Sequence, residues 1–305
     1  MIKRQNGMTD VSTRTDHNRI SPTAKITAYW RSLSDIPCSK EIAESAGAKE
    51  TALKLLGSQV VSMGEISPAM FEARYKSINR GLEKCGIANA MELACGLSPR
   101  GIEIARKGGI YVGTDLLDMY AESSPVITEI AVRAGITMDK FHLQPANVLD
   151  EDQMKDAASH FGGKRFAVCN EGLLMYLDME EKANMAQIVR GLLLKSGGVW
   201  ITTDITLGEA RKKIASMLGP VGNLIAKSAM RNITAQTGIN ISENDFESTA
   251  HAIRFYNDLG FKIEEFPMYE EGQELSTAAM IPEKRRAALL EILSSARTWI
   301  MRPRD

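Results

Sequence analysis

The chain is predicted to fold as an α/β domain, doubly wound around a mostly parallel, seven-stranded Rossmann-like sheet. Five short apolar runs, 90–94, 110–114, 141–143, 165–169 and 199–203, alternate with amphipathic segments at 98–107, 126–134, 150–161 and 180–194. Strands alternating with helices imply βαβ units and a parallel sheet, and right-handed crossovers place the helices on both faces. Two more apolar runs, 261–266 and 298–301, bring the strands to seven. At 305 residues and 44% hydrophobic, the chain can bury a core of this size.

Helices come first along the chain. Ser21-Pro22 provides a cap followed by proline at the first helical position. A second helix is predicted over 40–56, ending at Gly57, and a third over 68–85, ending at Gly86. After the fifth strand the Met-, Lys- and Ala-rich stretch 207–248 interrupts the βα rhythm and is expected to be a helical lid. Its Met217, Leu218, Leu224, Ile225 and Met230 suit either a soft apolar roof over the site, a helical pair packed on the sheet, or a dimer face. Helices over 249–259 and 282–295 accompany the last two strands. Residues 1–19 are polar, lack the apolar core of a signal peptide, and are expected to be a disordered tail. Residues 20–305 are then one domain, with 20–88 as its N-terminal helices.

Composition excludes several classes. The 37 basic and 38 acidic residues make no electrostatic case for a nucleic-acid or membrane-surface partner. No run of 18 apolar residues occurs, so no membrane-spanning helix is expected. Cys38, Cys85, Cys95 and Cys169 form no CxxC pair, which argues against a zinc site or any other metal. Nothing marks a disulfide scaffold, and free thiols point to a reducing, cytoplasmic setting.

The chemistry is concentrated at the end of the first strand. In Glu92-Leu93-Ala94-Cys95-Gly96-Leu97-Ser98-Pro99-Arg100-Gly101, a strand runs into a glycine turn and Pro99 can open the next helix. Glycine permits close approach of a ligand to the backbone, and open α/β sheets bind ligands beyond the carboxyl ends of their strands. Asp115 ends the second strand, 19 residues after Gly96. An acid there can accept hydrogen bonds from both hydroxyls of a ribose. NAD and S-adenosylmethionine (SAM) both carry that ribose, so an NAD-dependent oxidoreductase and a SAM-binding protein both remain open. The glycine pattern favours SAM: GxGxxG brings a pyrophosphate to a helix N-terminus, whereas here only Gly96 and Gly101 occur, with Pro99 between them.

Four segments carry a resemblance to a known family. They are Ser21-Pro22-Thr23-Ala24, then Arg74-Tyr75-Lys76-Ser77-Ile78-Asn79, then Glu92–Gly101 with Gly113-Thr114-Asp115, and lastly Asn170-Glu171-Gly172-Leu173-Leu174-Met175-Tyr176-Leu177. Together they resemble the leucine carboxyl methyltransferase-like proteins, which include protein phosphatase methyltransferases and bacterial polyketide O-methyltransferases. The segments fall within residues 20–205. The resemblance implies a class I, SAM-dependent O-methyltransferase acting on a carboxylate or hydroxyl of a small molecule, or on a protein C-terminal carboxylate. A non-catalytic SAM-binding protein is the other reading the same motifs allow.

The resemblance also implies roles. Arg74 would bind the SAM carboxylate, a good match for a guanidinium fork, and Lys25 would meet the same group. Gly96 would lie under the methionine part and Asp115 would hold the ribose. Glu171 would contact the methionine end near its ammonium. Asn147-Val148 stands where the family carries Asp-Leu against the adenine: Asn147 would accept from the exocyclic amine and Val148 would supply an apolar wall. Tyr75 and Asn79 depart from the family's threonine and aspartate, which leaves the orientation of Arg74 open. Tyr176 reads as a packed aromatic, and Cys95 and Cys169 as small buried hydrophobes near the cleft. His17, His142, His160 and His251 lie in no motif, so no catalytic residue is assigned. A carboxylate acceptor, already anionic at neutral pH, needs no base.

Overall fold

A computed structural model of the chain describes residues 21–57, 66–205 and 238–305, together with residues 228, 231, 234 and 235. The expected tail at 1–19 and most of the expected lid at 207–248, including its five named apolar residues, lie outside the described residues.

Seven strands form one sheet: β1 (Ala90–Leu93), β2 (Tyr111–Asp115), β3 (Phe141–Pro145), β4 (Ala167–Asn170), β5 (Val199–Thr202), β6 (Phe261–Pro267) and β7 (Arg297–Pro303). Their order is β3-β2-β1-β4-β5-β7-β6. The first five pair in parallel, and β7 lies antiparallel to both β5 and β6. This doubly wound sheet, with its antiparallel β7 inserted before β6, is the class I methyltransferase fold. The order reverses between β1 and β4, so the loops leaving these two strands splay to opposite sides and leave a crevice beyond their carboxyl ends.

Ten helices among the described residues flank the sheet: α1 (Ser21–Arg31), α2 (Ser39–Ser45), α3 (Ala48–Leu56), α4 (Ser67–Cys85), α5 (Arg100–Arg106), α6 (Leu117–Arg133), α7 (Glu151–Ser159), α8 (Met179–Ser196), α9 (Thr249–Asp258) and α10 (Glu283–Ser295). Alternation along the strands sorts the core into two layers. Met91, Leu93, Val112, Val168 and Trp200 pack with Met154 and Ala157 of α7, Met185 and Val189 of α8, and Ala252 and Tyr256 of α9. Ala90, Tyr111, Ala167, Cys169 and Ile201 face the other way, onto α1, α2, α4, α5 and α6.

Two helix predictions need correction. The expected helix over 40–56 is two helices, because Gly47 adopts a left-handed conformation (φ +60°) between α2 and α3. The helix expected from Val126 starts nine residues earlier, at Leu117, and runs through Pro125. A proline inside a helix frees the carbonyl four residues before it. Here Ala121 and Pro125 both lie on the exposed side of α6, where water can take up that carbonyl.

Gly101 explains the close seating of α5 on the sheet. A β-carbon there would sit 2.3 Å from the Tyr111 ring and 2.7 Å from Phe141. Tyr111 cannot retreat: it stacks on Phe141 at 5.5 Å, and its hydroxyl donates to Glu92 Oε2 at 2.8 Å. In a free helix alanine is favoured over glycine by up to about 1 kcal/mol. Here the sign reverses, and Gly101→Ala is expected to lower stability by about 1–3 kcal/mol through overpacking. Denaturant melts of the two proteins check this; an unchanged or raised midpoint would contradict it.

Candidate active site

The crevice at the β1/β4 switch point opens into a cavity of about 260 Å³. That volume is of the order of a small-molecule site, commonly about 300–1,000 Å³. Its floor is the loops after the strands: Ala94–Leu97 after β1, Asp115 and Leu116 after β2, Ala146–Leu149 after β3, and Glu171–Leu173 after β4. Its roof comes from Thr23, Ala24, Ile26, Thr27, Trp30 and Arg31 of α1, Leu56 of α3, and Phe71 and Arg74 of α4.

The β1 loop is tightly formed. Gly96 has φ +50°, and a β-carbon there would lie 3.2 Å from that of Ala24, so α1 rests almost directly on the glycine. Ala94 is also left-handed, at φ +49°, a strained state for a residue with a side chain. Asp115 ties this loop to β2: its Oδ2 accepts from Gly96 N at 2.7 Å and its Oδ1 from Leu116 N at 2.8 Å. Each oxygen retains a free lone pair. Burial raises the Asp115 pKa, the two backbone N–H groups oppose that, and the result is about 6.

The neighbouring N-terminus of α5 is closed to a phosphate. Ser98, Pro99 and Arg100 are buried and none lines the cavity. Their donors are already used: Ser98 N reaches Cys95 O at 2.9 Å, and Arg100 N reaches Ser98 Oγ at 3.3 Å.

At the β4 side lies a buried ionic cluster. Glu171 is surrounded by Arg31 (3.4 Å), Arg74 (3.9 Å) and Arg100 (3.2 Å). Burial alone would push the Glu171 carboxyl up, but the three guanidinium groups outweigh it and hold its pKa below the usual carboxylate range. Arg100 also binds Glu92 Oε1 at 2.9 Å, the Tyr75 carbonyl at 3.1 Å, and Asn79 Oδ1. Its guanidinium lies 4.2 Å from the Tyr75 ring centre, and that of Arg31 lies 5.4 Å from the same ring. The two departures from the family pattern, Tyr75 and Asn79, therefore support Arg100 and Arg31 rather than Arg74.

Arg74 is oriented by a residue that sequence reasoning missed. Asp204, just past β5, accepts from Arg74 Nη2 at 3.0 Å, Asn170 Nδ2 at 2.7 Å, Gly172 N at 2.7 Å and Leu173 N at 2.7 Å. It shapes the whole β4 loop. The available signal was its position, an acid beyond a strand end like Asp115. Arg31 was also missed, because it lies seven residues past the Ser21–Ala24 segment and inside no motif.

Arg74, Gly96, Asp115, Asn147, Val148 and Glu171 all line the one cavity. Asn147 Oδ1 already accepts from Leu149 N at 3.0 Å, in a local turn, which leaves it one lone pair. Lys25 is not brought to the cavity. The α1 residues that line the cavity are 23, 24, 26, 27, 30 and 31, and Lys25 instead forms an ion pair with Glu122 of α6. Tyr176 is buried and its hydroxyl donates to Thr23 Oγ1 at 3.0 Å, joining the β4 loop to α1. Cys95 lines the cavity, whereas Cys169 is buried in the core layer behind it. His142 and His160 stack on each other at 4.2 Å beside β3, and His251 lies near Glu247; none of the three lines the cavity. His17 lies outside the described residues. Among the described residues no cluster could hold a metal ion, and no helix is long and apolar enough to cross a membrane.

No protein-family model and no curated protein matches the chain. Solved structures similar to it include a magnesium protoporphyrin IX methyltransferase from Synechocystis with bound S-adenosylhomocysteine, at 14% identity and TM-score 0.45 over 95% of this chain and 98% of that one. A SAM-dependent methyltransferase from Anabaena variabilis has 13% identity and TM-score 0.43 over 75% and 85%. A geranyl diphosphate C-methyltransferase from Streptomyces coelicolor has 12% and 0.41 over 76% and 76%. At such values the comparison is one of chain tracing, and the fold assignment rests on the sheet order itself.

Proposed function

We propose that the protein is a SAM-dependent methyltransferase that transfers a methyl group to an oxygen, a carboxylate or hydroxyl, of a small-molecule acceptor. The observation that carries this reading is a buried acid with a free lone pair on each oxygen and an arginine cluster, both on the walls of one cavity, beside a helix start closed to phosphate. Asp115 has one free lone pair on each oxygen, as two ribose hydroxyls require. Arg31 Nε and Arg74 Nε are buried without a hydrogen-bond partner, as a ligand's carboxylate would require. The buried start of α5 speaks against a dinucleotide, whose pyrophosphate needs that helix end. These features fit SAM, which carries a ribose and a carboxylate and no phosphate.

Asp115, Asn147 and Val148 would hold the nucleoside side, Gly96 would lie under the methionine part, and Arg74 would hold the carboxylate of the amino-acid end. When bound, SAM supplies an electrophilic methyl group on its sulfonium. The chain's own task is to align the acceptor oxygen and exclude water. Trp30, Ile26, Leu56 and Phe71 supply an apolar wall for that. No histidine among the described residues lines the cavity, which favours an acceptor that is already anionic, a carboxylate.

Calorimetric titration tests the cofactor: heat is expected with SAM and none with NAD. The opposite result would replace this reading with an oxidoreductase. With methyl-labelled SAM, the product is expected to release its label in mild base, as an ester does. A base-stable product would move the acceptor from carboxylate to hydroxyl.

A further inference from the structure

Three arginines meet Glu171, and they are not equivalent. Arg100 is completely buried, does not line the cavity, and uses Nε, Nη1 and Nη2 on protein acceptors. Arg31 and Arg74 line the cavity. Arg31 is 5% exposed, yet its hydrogen bonds are long: 3.5 Å to Leu97 O and 3.4 Å to Glu171, the outer edge of hydrogen bonding. Its Nε has no partner, and neither does Arg74 Nε. A buried donor left unmade is costly, so this end of the cavity has unmet capacity for an anion. Arg31 and Arg74 approach the same oxygen, Glu171 Oε1, so their guanidinium groups converge from α1 and α4.

We propose that Arg31 is a second carboxylate-binding residue, forming with Arg74 a two-arginine clamp, and that Glu171 is the positioning residue that holds the pair together. Glu171 thereby takes a different part from the ammonium contact that the family resemblance implies. Its carboxylate faces three guanidinium groups, which act on it as the cations an ammonium would otherwise be. The charges agree: Arg31, Arg74 and Arg100 stand against Glu92, Glu171 and Asp204. A zwitterionic amino-acid group adds no net charge to that set. The Tyr75 ring gives Arg31 a flat aromatic support, its centre 5.4 Å from the guanidinium carbon. The clamp rests on the proposed SAM site.

Two ligands separate the clamp from the rest of that site. S-adenosylhomocysteine carries the amino-acid group, and 5′-methylthioadenosine shares the nucleoside and thioether but lacks it. In Arg31→Met, affinity for S-adenosylhomocysteine is expected to fall about 10- to 100-fold, while affinity for methylthioadenosine stays within about twofold of wild type. Arg31→Lys keeps the charge, loses the fork, and is expected to fall between the two. Glu171→Gln should show the same selective loss, smaller in size. Equal losses for both ligands would mean Arg31 acts on the fold alone, and no loss for either would mean it does not touch the ligand; each overturns the clamp while leaving the SAM site standing. A wild-type protein that binds neither ligand overturns both.

Discussion

Replacing Arg100 with methionine is expected to lower the folding stability by about 3–5 kcal/mol at neutral pH, the usual result of removing one partner from a buried ion pair. Methionine fills much of the space of the arginine stem, so the loss is electrostatic rather than a cavity. Two carboxylates would lose their shared cation: Glu92, bonded to Arg100 Nε, and Glu171, bonded to Nη2. Glu92 would retain Ser98 Oγ and the Tyr111 hydroxyl, and Glu171 would retain Arg31 and Arg74. Neither set replaces a cation lying between the two. The Tyr75 carbonyl and Asn79 would lose a donor as well.

Acid should narrow this difference. The Glu171 carboxyl is held below its ordinary value in the folded protein, so its contribution is present above the unfolded pKa of about 4.5 and is lost as pH falls through the lower folded value. In the variant Glu171 loses one of the three cations that hold its carboxyl down, takes up a proton at higher pH and so relieves its burial. Denaturant midpoints measured at pH 7 and pH 4 check both statements. A loss below about 1 kcal/mol at pH 7 would show that the cluster is solvated in a way its burial does not suggest.

The second large effect concerns ligand binding. Asp115→Ala is expected to weaken SAM affinity by about 2–4 kcal/mol, or about 30- to 1,000-fold, from the loss of two hydrogen bonds to a charged acceptor. The change also frees Gly96 N–H, so the β1 loop loses its anchor to β2. The pH dependence isolates the carboxylate's own part. Its pKa near 6 lies above the ordinary aspartate value of 3.8, so the fold holds this proton more tightly than the unfolded chain does. Asp115 therefore contributes stability below its unfolded pKa, and that contribution is lost as pH rises through about 6. Ligand binding runs the other way, because ribose hydroxyls donate to the ionised form. Wild-type affinity should fall as pH drops below about 6, and the alanine variant should show no such step. Titrations at pH 5 and pH 8 would decide the matter; a flat wild-type profile would remove the ribose from Asp115.

How much of the site can be read along the chain depends on how local each contact is. Gly96 and Asp115 belong to strand ends, and strand ends are marked by a change of hydrophobic period that any window of a dozen residues contains. Asn147, Val148 and Glu171 are named by the resemblance alone, and each sits just beyond its own strand. Asp204 obeys the same rule and went unassigned only because no motif surrounds it. Arg31 obeys no such rule. Nothing within α1 distinguishes it from Lys25 six residues earlier, and the helix face that separates them becomes visible only once Ala24 rests on Gly96.

Taken alone, the amino-acid sequence determined the α/β class, the seven strands, and the edge of the sheet at which the cavity lies. These depend on alternation and turn chemistry, which act over a few residues. The tertiary structure decided the strand order, the split of 40–56 into two helices, the passage of α6 through Pro125, and above all the partners of the charged groups. Glu171 looked like a lone acid beside a ligand and is the centre of three arginines drawn from α1, α4 and α5. A charge reveals its neighbours along the chain, whereas its energy in a buried site is set by groups within a few ångströms in space. Those groups are 71 and 140 residues distant for Arg100 and Arg31, and only the closed fold brings them together.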